Sequence, residues 1–197
     1  MSQPIAQATI QVRIVEGHFV IEDDDIDPPT FPAFAEADDW LLTTDNQIAV
    51  CSASGEWHVP EALLQRWTTA PPTPGPGWKV HQQRQCHFSS GVLNILNPAR
   101  EEVFGTFDLE TPGSYHVRAH TTDRDNTRRL LDHAAATAGD QPIHGVEKFL
   151  IQFWPAAEHP SDHTSTTTDP HTPGWLTDVT TLERTTRERR QRPDDTQ

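Results

Sequence analysis

Apolar and polar residues alternate with a period of two along several short stretches of the 197-residue chain, and that period predicts strands. Over Ala8 to Val15, Ile10, Val12 and Ile14 alternate with Thr9, Gln11 and Arg13. Gly17 turns the chain, and His18 to Ile21 reads as a second short strand. Glu22 to Asp45 is rich in Asp and Pro and reads as loop, with one helical turn around Phe34 to Leu42. Gln47 to Ser52 and Glu56 to Val59 flank a Ser-Ala-Ser-Gly turn and predict a hairpin. Leu63 to Gly77 is an excursion that ends in the loop-forming PPTPGPG. Strand signals return at Trp78 to Phe88, Val92 to Leu96, Glu102 to Leu109 and, after the turn Thr111-Pro112-Gly113, at Ser114 to His120. Arg124 to Ala138 reads as a helix, with Asp123 as its N-cap and Gly139 at its C-terminal stop. Val146 to Trp154 is apolar enough to be a central strand. Many short strands and one late helix predict a mainly β fold, an antiparallel β-sandwich with the helix inserted before the last strand.

Composition sets the extent of that fold. Apolar residues make up 34% of the chain, against a norm of about 45–50%, and the deficit is concentrated from Ala156 onward. There Thr, Asp, Pro, His and Arg dominate, and the few apolar residues bury too little surface to offset the entropy of ordering. A sandwich domain over 1–155 and a disordered polar tail over 156–197 are therefore expected. Removing the residues after Pro160 should leave folding cooperative. The tail's Arg184, Arg187, Arg189, Arg190 and Arg192 form a basic segment.

Charge is the most uneven property of the chain. The net charge is -14, and no Lys or Arg lies between Arg13 and Arg66. That interval holds Glu16, Glu22, Asp23, Asp24, Asp25, Asp27, Glu36, Asp38, Asp39, Asp45, Glu56 and Glu61. Such a chain lacks the basic face that direct nucleic-acid binding needs. It suits a basic protein partner, such as a nuclease or toxin, whose phosphate sites carboxylates can occupy. Glu22, Asp23, Asp24, Asp25, Asp27, Asp38 and Asp39, with Trp40 beside them, are the candidate partner-binding residues. The same Asp-rich loop also suits calcium, which takes six to eight oxygen ligands, although the EF-hand glycine and terminal glutamate are missing. The carboxylates extend past any one coordination sphere, which favours the patch.

Catalytic and cofactor signals are weak by comparison. Serines lie in turns without a G-x-S-x-G elbow, and PPTPGPG has proline where a phosphate loop needs N–H donors. The eleven histidines are expected as scattered surface groups, although His116 and His120, four apart on a strand, share a face and suggest a metal-dependent enzyme as a further alternative. Cys51 and Cys86 lack C-x-x-C spacing and read as buried reduced thiols. Trp154 and Trp78 are expected in the core. No catalytic residue, metal ligand or cofactor is assigned, and the chain reads as a binding protein, not an enzyme. Without a basic n-region or an apolar run near the roughly 20 residues that span a bilayer, cytoplasmic residence with no membrane partner is the default expectation.

The segments TIQVRIVEGHFVIED, FDLETPGSYHVRAHTTDRDN and EKFLIQFWP, in that order around a hairpin and a helix, resemble small bacterial β-sandwich proteins of the competence protein J type, the nuclease-inhibitor family. The resemblance runs from about Ala8 to Pro155, and Phe107, Leu109, Gly113 and Tyr115 match best. It implies a protein that binds and blocks a nuclease. The matched positions are turn and core residues, so it implies no functional residues.

Overall fold

The computed structural model describes residues 3–26, 39–55, 57–138 and 141–157. Asp27, Asp38, the stop at Gly139 and the expected tail from residue 158 lie outside the described residues. Ten strands and one helix follow in chain order: β1 (Ala6–Gln11), β2 (His18–Asp23), β3 (Leu41–Thr44), β4 (Gln47–Cys51), β5 (His58–Arg66), β6 (Val80–Phe88), β7 (Val92–Leu96), β8 (Val103–Asp108), β9 (Gly113–Thr121), α1 (Arg124–Ala138) and β10 (Ile143–Pro155). They form two five-stranded sheets. One has the order β1-β5-β10-β9-β6, the other β3-β4-β2-β7-β8.

Period-two alternation gives each sheet an inner face. Along β5, His58, Pro60, Ala62, Leu64 and Arg66 are buried while the residues between them are half-buried. The first sheet contributes Leu64, Phe88, Tyr115, Val117, Phe149, Ile151 and Phe153 to the core, and the second contributes Phe19, Ile21, Ile48, Val50, Leu93, Ile95 and Phe107. Aromatic pairs join the sheets: Phe19 meets Phe149 edge-on at 5.4 Å, and Phe107 lies 6.0 Å from Phe153. Such pairs add about 1 kcal/mol each beyond area burial. Tyr115 reaches back across its turn and donates to Leu109 O and Thr111 O, a tyrosine-corner arrangement that fixes the start of β9.

The expected sandwich is present, with three local corrections. Gln47–Cys51 and the strand after it do not form a hairpin: β4 pairs with β2 and β3, whereas β5 pairs with β1 and β10 in the other sheet. The Ser-Ala-Ser-Gly segment therefore crosses between sheets. Leu41 and Leu42 belong to a strand, β3, because their backbones extend β4's ladder. The excursion begins later than Leu63, since β5 continues to Arg66 alongside β1 and β10.

β10 is central, as its apolar run predicts, flanked by β5 and β9. Its pairing with β5 is parallel, the one parallel ladder among the described strands. The two strands lie far apart in the chain, and the run from β6 through α1 supplies the long connection that a parallel pair needs. Asp123 caps that helix by accepting from Asn126 N at 3.1 Å, and Leu131 is its fully buried residue. No helix among the described residues is long and apolar enough to cross a membrane.

Candidate functional site

Four connections meet at one end of the sandwich, and Asp23 holds them together. It is the last residue of β2 and is fully buried. Its carboxylate accepts from Asp25 N at 3.0 Å, Gly91 N at 2.9 Å and Ser90 N, which is 3.1 Å from both oxygens. Burial pushes this carboxyl's pKa up, but the Ser90 hydroxyl and the Asp25, Gly91 and Ser90 amides outweigh it and hold the group below the ordinary aspartate value. The β3–β4 turn joins the same knot. Asn46 O accepts from Asp23 N at 2.9 Å, and the Asn46 side chain exchanges hydrogen bonds with Ser89. Gly91 is required at its position: φ is +80°, and a Cβ there would meet Thr111 O at 2.7 Å. This contact draws the β8–β9 turn onto the β6–β7 turn, where Leu109 N also donates to Gly91 O.

The knot presents the exposed carboxylates Asp24, Asp25, Asp45 and Asp108 on adjacent turns. None of the four is in an ion pair among the described residues, although Asp24 accepts from Asn94 Nδ2 at 3.0 Å. Other acidic groups are committed internally. Glu22 is buried and pairs with Arg100 at 2.9 Å, and Asp39 pairs with Arg84. Trp40 is buried as well, 6.4 Å from Phe149, with the Arg124 guanidinium 5.2 Å over its ring. Of the sequence-predicted set, then, Asp24 and Asp25 face solvent, Glu22, Asp23, Asp39 and Trp40 are engaged in the fold, and Asp27 and Asp38 lie outside the described residues. Asp108 joins the surface through the register that places it opposite Val92, which local sequence does not reveal. The calcium alternative loses Asp23, whose oxygens are filled by amide donors. Among the described residues no three His, Cys, Asp or Glu side chains are grouped to hold one ion.

A second polar cluster lies inside the molecule, where the chain crosses between sheets. Glu147 is fully buried at the irregularity between His144 and Lys148 of β10. Its Oε2 receives the Ser52 hydroxyl at 2.5 Å and His58 Nε2 at 3.0 Å, and its Oε1 receives Ala53 N at 2.9 Å. Ser52 and His58 both point at one carboxylate oxygen. Ser52 Oγ also lies 3.2 Å from His58 Nε2, so the three side chains close one buried triangle of hydrogen bonds. Helix α1 clamps the same crossing from outside: Arg124 donates to Cys51 O and Ser52 O, and Arg128 to Ala53 O. His58 thus departs from the expected surface histidine, because its strand parity places it on the inner face.

The outer face of the first sheet carries a polar ladder. Arg118 donates to Gln152 Oε1 at 3.1 Å and to Pro71 O at 2.8 Å, and Gln152 Nε2 donates to Gln65 Oε1 at 3.0 Å. Trp154, buried as expected, lies beneath Arg118 and beside His116, 5.3 Å away in each case. His120 is a second buried histidine, 5% exposed. Cys86 is buried and Cys51 half-buried; both are free thiols. Burial, with Asp45 and Asp23 nearby, pushes the Cys86 thiol up to about 12.

No family model matches the chain, and no curated protein matches it. Among solved structures it is similar to ComJ, an inhibitor of the DNA-degrading activity of NucA, from Bacillus subtilis. That match covers 79% of this chain and 99% of ComJ, at a TM-score of 0.51 and 13% identity. It is also similar to the protein of crocagin biosynthetic gene J, over 77% of this chain and 99% of that one, at a TM-score of 0.49 and 14% identity. Residues spread over two sheets and one helix therefore assemble into a ComJ-like fold, and at this identity the likeness is one of fold.

Proposed function

We propose that this chain is an acidic, intracellular inhibitor-type protein that binds a basic nuclease or a related toxin through the carboxylate-bearing end of its sandwich. The observation that carries this reading is the ComJ-like fold, spanning 99% of a nuclease inhibitor's length. Charge supports it independently: twelve carboxylates and no Lys or Arg lie between Arg13 and Arg66, and the fold gathers Asp24, Asp25 and Asp45 of that stretch beside Asp108. Complementary charge raises association rates and fixes orientation more than it adds affinity. Asp23 would position these turns without touching the partner.

The test is inhibition of a basic, DNA-degrading nuclease encoded beside this chain, with binding followed at increasing salt. Association should slow about tenfold or more between low and physiological ionic strength. The double variant D24K/D25K should slow it further while dissociation changes little. Tight binding with a rate indifferent to salt and to both substitutions would remove the acidic end from the interface.

A further inference from the structure

His81 and His120 are direct cross-strand partners on β6 and β9, and both side chains stand on the outer face of the first sheet. Their ring centroids are 5.5 Å apart. His120 is held by an acceptor whose chemistry fixes its tautomer. Gln152 Oε1 lies 3.2 Å from His120 Nε2 and also receives the Arg118 guanidinium, while the amide nitrogen of Gln152 donates to Gln65. An oxygen that accepts from Arg118 also accepts here, so Nε2 carries the proton and Nδ1 carries the lone pair. The two nitrogens of an imidazole point in nearly opposite directions. With Nε2 engaged by Gln152 on β10, Nδ1 is the nitrogen left to bind a ligand.

We propose that His81 and His120 form a two-imidazole site for a borderline divalent transition ion of the zinc, nickel or copper type, with water completing its coordination. The spacing fits. With metal–nitrogen bonds of about 2.0–2.1 Å and a tetrahedral angle between them, two ring centroids lie roughly 5 Å apart. A ligating histidine that gives its other N–H to a fixed acceptor is the usual orienting arrangement, and Gln152, braced by Arg118 and Gln65, supplies it. The strand separates His116 from His120 by four residues, about 13 Å, too far to share the ion. His116 instead stacks beside Trp154.

The experiment is a calorimetric titration of the full chain with NiCl2 and ZnCl2 near pH 7.5, repeated on His81→Ala, His87→Ala and His116→Ala. Because His81 is exposed, its substitution should leave the fold intact, as circular dichroism would verify. The tightest site should weaken at least tenfold in His81→Ala alone. Copper bound to the unmodified chain should show two imidazole nitrogens by electron paramagnetic resonance, and one in His81→Ala. An affinity unchanged by His81→Ala, an equal loss in all three variants, or a copper signal without two nitrogens would overturn the proposal.

Discussion

Asp23 and Trp40 are the residues whose roles change most between sequence and structure. In the run EDDDID nothing separates Asp23 from its neighbours, yet parity on β2 turns it into the molecule, and the next two aspartates lie in the exposed turn beyond the strand. Replacing it with alanine leaves the amides of Asp25, Ser90 and Gly91 without their acceptor, and should cost about 3 kcal/mol in urea unfolding; Asp23→Asn, which keeps one acceptor oxygen, should cost about 1 kcal/mol. Since its native pKa is depressed, the stability it contributes is present above the ordinary aspartate value and is lost as the pH falls through the lower, native one. His120 adds a second acid-sensitive term at higher pH. Its pKa is lowered from 6.5 to about 4, so the unfolded chain takes up a proton that the native chain refuses. Stability should hold above about pH 6.5 and fall between there and about pH 4, by at most about 3 kcal/mol. His120→Gln should flatten that limb of a stability–pH profile, and an unchanged limb would assign it to other groups.

At the scale of elements, the crossing from β4 to β5 depends on Glu147. The carboxylate accepts from donors of the crossing segment, and the segment's carbonyls engage Arg124 and Arg128, so β4, β5, β10 and α1 share one polar joint. Glu147→Ala should destabilise by about 3 kcal/mol, since it leaves the buried Ser52 hydroxyl, His58 and the Ala53 amide without their acceptor. Ser52→Ala should cost only about 1 kcal/mol, measurable in the same denaturation series. The strands themselves are legible in the sequence because each has one apolar side, and β7 and α1 coincide with their patterns. What is not legible is which sheet a strand joins. Gln47–Ser52 and Glu56–Val59 look like hairpin arms because the turn between them is short, and only pairings with strands far along the chain show that it changes sheets there. The same holds for the candidate site: Asp24 and Asp25 can be read locally, whereas Asp108, Glu147 and the His81–His120 pairing depend on registers between strands far apart in the chain. Spacing alone pairs His116 with His120; register pairs His120 with His81.

For the whole molecule, the core draws on residues from Ile10 to Phe153, and removal of the segment after Pro160 should be a mild change in a thermal melt. The opposite truncation has a different outcome. Strand β10 lies between β5 and β9, so the first sheet is in two pieces until residues 143–155 exist. During synthesis, β5 and β9 would each wait on the ribosome with an unpaired edge, held apart from their shared neighbour until nearly all of the domain has been translated. Long-range pairing of this kind folds slowly and leaves edges open to misassociation. Chains stalled before residue 143 should therefore be protease-sensitive and dependent on chaperones, whereas chains released after residue 157 should become resistant in a single step.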